Sequence, residues 1–292
     1  MGVTDMPRTL KEAGNRQSHI SEMAGQTLGV DVEVWLHKAA ATLEAAVLCS
    51  QEPPVPIPTG VAVVGALHSS LLEHDIAPVY VFGGSKHAGK ADEDRRRAEQ
   101  LEKSREALAT WLLTEVPTGE AQLKDYHTKL NRLKKAASYC REDMIALVVE
   151  DLERKGAIVL FGPGEAEWQC ISLEDDGHTD GTLTTDSDVY VLGSSKMILD
   201  LDGKGGCCVV QREQARQCAE LGGGSWDDET TALFCALCGC DYVPRVSGQG
   251  KVKARAPLDS CLTSKAARDA VLLNIERTQS YGTDDGGTAC VG

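Results

Sequence analysis

The sequence has few aromatic residues and no long apolar run. Aromatic side chains make up 4% of the 292 residues, and only three of them are Phe. A sizeable core would therefore rely on Leu, Val and Ala. No apolar stretch approaches the roughly 20 residues that cross a membrane, and no charged-then-apolar leader opens the chain. We therefore expect an intracellular, soluble protein with no membrane partner.

The eleven cysteines do not predict a disulfide framework, because cysteines of intracellular proteins stay reduced. Cys235, Cys238 and Cys240 are close enough in sequence to suggest zinc, but no second pair at finger spacing follows. They fall in an apolar helical pattern. We interpret them as small buried residues.

Basic residues are concentrated in three segments of an acidic chain, whose formal net charge is −14. Residues 86–105, 124–135 and 245–255 carry seven, five and four Lys or Arg, with six acids among them. Such segments could hold nucleic-acid phosphates, which the overall charge would repel. For residues 124–135, a solvated helix face is an equal alternative.

Two carboxylates follow a strand-like run at residues 157–161. This run predicts a buried parallel strand, and Pro163 predicts the start of a helix. Glu165 and Glu167 would then lie in the first turn, where the positive end of the helix stabilises acids.

Two further strand-like runs also lead to acids. Residues 27–31 predict a short strand that ends at Asp31. Asp186 and Asp188 follow residues 182–184, and in extended chain both side chains would point to the same side.

Acids behind parallel strands are typical of a divalent-metal site, because ligands gather at the carboxyl ends of such strands. Clustered carboxylates repel each other unless they are protonated or bridged by hard cations, and oxygen ligands suit Mg²⁺ or Mn²⁺. For either pair taken alone, the alternative is a solvated loop with ordinary acidic caps.

A competing motif lies at Gly84 to Lys90, after the strand predicted at residues 77–82. It resembles a phosphate-binding loop, but the pattern requires Ser or Thr next, and the chain has Ala91. We therefore favour a flexible basic loop.

The remaining pattern predicts an apolar helical or strand-like run at residues 61–72, a strand pair at residues 189–192 and 197–201, helices at residues 213–221 and 230–238, and a frayed tail from Thr278.

As a set, these motifs resemble the flap endonuclease and XPG family of structure-specific 5′ nucleases. The resemblance covers residues 1 to about 254 and rests on Met1-Gly2-Val3, Val30-Asp31 before Trp35-Leu36-His37-Lys38, Pro163-Gly164-Glu165-Ala166-Glu167, Thr185-Asp186-Ser187-Asp188, and Gly239-Cys240-Asp241-Tyr242 before Gly248-Gln249-Gly250. Residues 34–40 are most similar to the exonuclease branch.

The resemblance implies an α/β fold, with a central, mostly parallel sheet, helices on both faces and a PIN-like nuclease core. It further implies an N-terminal nuclease region at residues 1–100, a helical arch at 101–150, an internal nuclease region at 151–240, a helix-two-turn-helix DNA-binding region at 241–277, and a disordered tail at 278–292.

The resemblance also implies the site. Two Mg²⁺ or Mn²⁺ ions would activate the attacking water and stabilise the leaving oxygen. Their ligands would be Asp31, Glu165, Glu167, Asp186, Asp188 and Asp241. Lys90 and Arg97 match the basic pair that steers the scissile phosphate. The DNA-binding residues would be Gly2, Lys86, Lys90, Arg97, Gly248, Gly250 and Lys251, with K⁺ at the hairpin.

One departure from the family pattern bears on the chemistry. Where the family has Phe-Asp-Gly, this chain has Phe82-Gly83-Gly84, so a carboxylate that helps to hold the first metal is absent. Asp75 lies at the wrong end of the strand, and Asp92 and Asp94 lie in the basic loop, so none of them replaces it convincingly. Pro257 also interrupts the helix expected after the hairpin.

Two hypotheses follow. The first is a monomeric, metal-dependent 5′ nuclease that acts on flaps, gaps or ends of duplex DNA in repair or replication, in the nucleus if the source is eukaryotic. The second is an impaired family member that binds branched DNA or a repair partner. A ribonuclease of the related PIN-type fold is disfavoured by the hairpin after Asp241.

Overall fold

The computed structural model describes residues 6–43, 45–49, 58–85, 91–139, 142–240, 243, 251–261 and 264–281. The chain divides into two compact units. The large unit consists of Ile20–Thr184 and Gly203–Gly205, and the small unit consists of Met1–His19, Thr185–Asp202 and Gly206–Gly292.

The strands are β1 (Asn15–His19), β2 (Thr27–Asp31), β3 (Ala77–Phe82), β4 (Ile158–Phe161), β5 (Thr182–Leu183), β6 (Lys196–Leu199) and β7 (Gly206–Gln211). In the large unit, β5, β2, β3 and β4 lie side by side in that order, and every pair is parallel. In the small unit, β7 pairs antiparallel with both β1 and β6. The predicted α/β class with a mostly parallel sheet is confirmed.

The helices are α1 (Met6–Ala13), α2 (Val32–Ala40), α3 (Ala45–Cys49), α4 (Thr59–Glu73), α5 (Ala91–Leu112), α6 (Glu120–Ala137), α7 (Glu142–Arg154), α8 (Ala166–Asp175), α9 (Asp188–Leu192), α10 (Arg212–Arg216), α11 (Asp228–Cys238), α12 (Lys251–Arg255), α13 (Leu258–Cys261) and α14 (Lys265–Tyr281).

Strand β3 shows that helices cover both faces of the parallel sheet. Val79 and Val81 pack in one buried cluster with Ala166 and Cys170 of α8. Tyr80 lies between these two valines in the sequence, and its hydroxyl is 3.0 Å from Nδ1 of His68 in α4. Because successive side chains of a strand point to opposite faces, α8 and α4 lie on opposite sides of the sheet, as predicted.

Strand β4 differs from its predicted burial. It lies at the end of the strand order, and its Ile158 and Phe161 are 58% and 59% exposed. An apolar run indicates a strand, but it does not distinguish a central strand from an edge strand.

The predicted strand at residues 189–192 is wrong, because these residues belong to α9. The carboxylate of Asp186 accepts a hydrogen bond from the Asp188 N–H (Oδ1···N 3.0 Å), which turns the chain into the helix. Gly193, with φ of 120°, ends it. The local hydrogen bond therefore outweighs the strand preference of Val and Tyr, and Asp186 and Asp188 are not two residues of one extended segment.

Two smaller boundaries also differ. Helix α8 begins at Ala166, three residues after Pro163, and Glu165 is its N-cap residue. Helix α14 continues to Tyr281, past the predicted start of a tail at Thr278. Residues 282–292 lie outside the described residues.

Between β3 and β4 the chain inserts α5, α6 and α7. Trp111 of α5 stacks on Tyr126 of α6 with ring centroids 5.1 Å apart, and Lys129 lies over the Trp111 ring. The role of this insertion as an arch stays a prediction, as do the predicted functional regions.

The cysteines of α11 are packing residues, as interpreted from the sequence. Cys235 and Cys238 are 2% and 3% exposed, whereas Cys240 is half-buried. Within the described part of the chain, no helix has the length and apolar character needed to cross a membrane.

We expect side chains of the edge strand β4 to contribute less to the free energy of unfolding than side chains of the inner strand β2. Leu28→Ala in β2, whose side chain is fully buried, should lower the free energy of unfolding by about 2–5 kcal/mol. Ile158→Ala removes an exposed side chain of similar size and should cost less than about 1 kcal/mol. Urea denaturation of the two variants measures both values. Equal losses would contradict the described sheet order.

Candidate functional site

Asp31 is a buried acid with a hydrogen-bond donor to each carboxylate oxygen. It ends β2, caps the N-terminus of α2 and is 4% exposed. Its Oδ1 accepts a hydrogen bond from the Glu33 N–H (3.2 Å), and its Oδ2 accepts one from the Thr184 hydroxyl (2.8 Å). Both carboxylate oxygens are therefore oriented by groups of the large unit.

Glu165 and Glu167 lie where the chain passes from β4 into α8. Glu165 has extended backbone at the N-cap, and Glu167, in the first turn, is 8% exposed. A carboxylate in the first turn faces the positive end of the helix. The predicted place in the first turn is thus observed for Glu167, whereas Glu165 precedes the helix as its N-cap residue.

The thiol of Cys170 lies one turn after Glu167 and is fully buried. Burial raises its pKa well above the usual range, and the charges of Asp31, Glu167 and Glu174 raise it further. The thiol therefore stays protonated and unreactive. The acids of β2 and α8 act on the same buried point.

The loops after β3 and β4 are tied together by two hydrogen bonds. The Gly162 N–H donates to the Phe82 carbonyl (2.9 Å), and the Gly84 N–H donates to the Gly164 carbonyl (2.7 Å). A Cβ atom on Gly84 would overlap the Gly162 carbonyl oxygen. Glycine at residue 84 therefore has a packing role, and the loop that leads to Glu165 is fixed against the end of β3.

In the small unit, Asp186 and Asp188 mark the start of α9. Asp188 is 4% exposed. The pKa of Cys235 in α11 is raised first by burial and, among smaller causes, by the charge of Asp188. Arg212 holds α9 by donating to the Tyr190 carbonyl while it pairs with Asp228. Asp188 is therefore placed by packing of α9 on its neighbours.

The donor atoms fit a hard divalent ion, because they are carboxylate oxygens and two of the acids in the large unit are buried. Among the described residues, however, no three His, Cys, Asp or Glu side chains are gathered closely enough to hold a metal ion as they stand. A bound cation would have to draw the carboxylates together against their mutual repulsion.

Of the predicted basic pair, the structure describes Arg97. Its Nε donates to Glu93 Oε1 (2.8 Å), and Glu93 also binds Arg96. Hydrogen bonds from Arg96, and then from Arg97, lower the pKa of Glu93. Burial, and after it the charge of Arg97, lower the pKa of His37 in α2.

Several predicted site residues cannot be placed. Those outside the described residues are Gly2, Lys86, Lys90, Asp241, Gly248 and Gly250, and of Lys251 only the backbone, at the start of α12, is described. Their predicted roles, and the competing phosphate-loop interpretation of Gly84 to Lys90, stay predictions.

Sequence reasoning missed two residues that the structure adds to the site. Thr184 orients Asp31, and its position as the last residue of the strand predicted at residues 182–184 was the available signal. The second is Glu33, whose carboxylate lies against Gly83. Its spacing from Asp31 gave no signal, because residues two apart do not share a helix face.

Fold and site together define an α/β protein with acids at the carboxyl edge of a parallel sheet, where such folds bind ligands. Residues 1–104 match the XPG N-terminal domain, and residues 156–241 match the XPG I-region. These two matches cover more than half of the chain. The chain belongs to the XPG family.

The chain is 28% identical over 276 residues to exodeoxyribonuclease 1 of Schizosaccharomyces pombe, covering 94% of this chain and 45% of the relative. It is 27% identical over 260 residues to exonuclease 1 of Xenopus laevis, covering 87% and 32%. Flap endonuclease 1 of Drosophila grimshawi is 28% identical over 262 residues, covering 87% and 63%. The chain thus spans less than half the length of the two exonucleases.

Solved structures share the fold. The catalytic core of Rad2 in complex with DNA substrate has a TM-score of 0.65 at 20% identity, covering 98% of this chain and 77% of that chain. Flap endonuclease-1 from Methanococcus jannaschii has a TM-score of 0.59 at 18% identity, covering 90% and 79%.

The hydrogen bond from Thr184 to Asp31 gives a direct test of the site geometry. Thr184→Val keeps the shape of the side chain but removes the Thr184 hydroxyl that donates to one oxygen of the buried Asp31 carboxylate. We expect the free energy of unfolding at neutral pH to fall by about 1–3 kcal/mol. Thr182→Val removes a hydroxyl that binds Glu174 instead and is the control for disturbance of β5 alone. The circular dichroism of thermal unfolding measures both. An unchanged stability of Thr184→Val would contradict the described contact.

Proposed function

We propose that this chain is the nuclease region of a divalent-metal-dependent 5′ nuclease. Its substrate would be DNA with a flap, gap or free 5′ end, and the reaction would be hydrolysis of a phosphodiester bond during DNA repair or replication. The observation that carries the proposal is the pair of buried acids, Asp31 at the end of β2 and Glu167 in the first turn of α8. Membership of the XPG family supports the reaction class.

In this proposal Mg²⁺ or Mn²⁺, when bound, supplies Lewis-acid stabilisation of phosphate oxygens and lowers the pKa of an attacking water. Asp31, Glu165 and Glu167 are the ligands from the large unit. Thr184 and the Glu33 amide hold the Asp31 carboxylate in one orientation, so little rearrangement of that ligand is needed. Asp186, Asp188 and Asp241 as further ligands remain predictions from the motif, as does K⁺ at the hairpin.

Arg97 would steer the scissile phosphate. Its pairing with Glu93 holds the guanidinium in place and also reduces the positive charge that it offers to DNA. A phosphate would therefore compete with Glu93 for Arg97. Lys90 would be the second member of the pair.

A second candidate function is favoured by one observation, the glycine at residue 83, directly after β3. If no other group supplies a carboxylate there, the fold would serve to bind branched DNA or a repair partner without cutting. Residue 83 thus separates a nuclease from a binding protein.

The deciding experiment is cleavage of an end-labelled 5′ flap duplex with Mg²⁺. We expect the wild type to cut and Asp186→Asn to lose roughly 100-fold or more of the rate, the effect of removing a group that stabilises charge in the transition state. Asp175→Asn, an exposed acid at the end of α8, is the matched control and should cut normally. DNA binding by the wild type without cleavage would favour the second candidate.

The ion pair of Arg97 predicts how DNA affinity changes with charge. Glu93→Gln should tighten binding of the same duplex in EDTA several-fold at low salt, because Arg96 and Arg97 lose an anionic competitor. The gain should shrink as salt increases, since phosphate contacts weaken with salt. Glu99→Gln in α5 removes an equal charge at an exposed position. If both variants gain equally by fluorescence anisotropy, net charge and not Arg97 is responsible.

A further inference from the structure

The space beside Gly83 is filled by another residue's carboxylate. A Cβ atom built on Gly83 would lie 2.5 Å from Glu33 Oε1, closer than any ordinary contact. The same point lies 3.6 Å from the Ala166 backbone nitrogen, at the start of α8. The Glu33 carboxylate therefore occupies the position from which a side chain of residue 83 would begin.

The fold fixes this placement from both sides. In the parallel pairing of β2 and β3, Asp31 lies opposite Val81, so Gly83 and Glu33 are each two residues beyond a paired position. The Glu33 N–H donates to Asp31 Oδ1, which ties its backbone to the buried acid. Glu33 is thus a first-turn residue of α2 that reaches across to the end of the neighbouring strand.

The end of α8 is held at the same place. The hydrogen bond from the Gly84 N–H to the Gly164 carbonyl keeps the loop before Glu165 against residue 83. Glu33 therefore lies beside the N-terminus of α8, a ten-residue helix. The positive end of such a helix favours anions. Asp31, at the end of β2, lies at the same edge of the sheet.

We propose that Glu33 is a metal ligand that supplies, from α2, the carboxylate that residue 83 lacks. This inference rests on the metal-dependent function proposed above. Glycine at residue 83 is then a requirement of the arrangement, because any larger residue would displace the Glu33 carboxylate. In the part of the chain that the structure describes, no three acids surround one point, and the long Glu side chain could move toward a bound cation.

An ordinary explanation for Glu33 must be excluded. Glu33 is exposed overall, and an acid in the first turn of a helix is favourable without any ligand. That explanation gives residue 83 no influence on metal binding. The proposal makes residues 33 and 83 interdependent.

Gly83 allows this interdependence to be tested with small changes. Its backbone is not in the left-handed region, and the atom that a Cβ would meet is the end of a flexible side chain. Gly83→Ala should therefore fold normally and push the Glu33 carboxylate away. Gly83→Asp alone should place two carboxylates in one space, whereas Gly83→Asp with Glu33→Gln should leave one.

The measurement is Mn²⁺ binding to the full chain without DNA, by electron paramagnetic resonance of the free ion. We expect Glu33→Gln and Gly83→Ala each to weaken Mn²⁺ affinity roughly 10- to 100-fold, at least the loss caused by residues that only support a ligand. The double variant Gly83→Asp/Glu33→Gln should recover most of the wild-type affinity. Glu73→Gln, an exposed acid at the end of α4, should bind as the wild type does. Thermal unfolding in EDTA checks that every variant is folded.

The outcomes separate this inference from the proposed function. Wild-type Mn²⁺ binding that is lost in Asp31→Asn but unchanged in Glu33→Gln and Gly83→Ala would overturn the role of Glu33 and leave the metal site intact. No Mn²⁺ binding by the wild type would overturn both. Weakening by Glu33→Gln without recovery in the double variant would show that residue 83 is not the position replaced, which also overturns the inference.

Discussion

The site depends on the parallel register of β2, β3 and β4. Val30 lies opposite Tyr80, and Tyr80 lies opposite Val159, so three chain segments far apart in sequence leave the sheet at one edge. Each continues differently: β2 turns directly into α2, β3 into a glycine pair and β4 into the loop before α8. The acids at residues 31, 33, 165 and 167 are brought to this edge by strand pairing, which needs no metal.

Burial of Asp31 and Glu167 has a cost that the surrounding polar groups only partly offset. A buried carboxylate is favourable only when hydrogen bonds or counter-charges replace its water. The Thr184 hydroxyl and the Glu33 amide do this for Asp31. Burial, and after it the charges of Asp31, Glu167 and Glu174, still raise the pKa of the Cys170 thiol. A site of this kind gains stability from any divalent cation that it binds, because binding to the folded state shifts the folding equilibrium. Burial of the acids therefore lowers the stability of the protein without a cation, and the same burial favours cation binding.

The sequence predicted the strands and helices whose local signals agree with their tertiary positions. Residues 27–31, with apolar residues ahead of Asp31, became β2, and the acids after Pro163 did reach the start of α8. Residues 189–192 were wrongly predicted as a strand, because one side-chain hydrogen bond decided between strand and helix. The burial of β4 was also wrongly predicted, because it depends on the order of the strands in the sheet. The contribution of Glu33 could not be predicted, because its position is set by the pairing of β2 with β3 and by the lack of a side chain at residue 83.

A glycine at the end of β3 therefore does not by itself indicate lost chemistry. What matters physically is the number of carboxylate oxygens at the edge of the sheet. A Glu on the adjacent helix can supply the two oxygens that an Asp after β3 would otherwise supply. The exchange is not neutral, however. A Glu side chain loses up to about 2 kcal/mol of rotamer freedom when it is fixed, and Asp has fewer rotatable bonds to order. A site built with Glu33 should therefore hold its cation more weakly and align the reacting groups less firmly than one with an acid on β3. In the proposed nuclease, the order of this one ligand would therefore affect the rate.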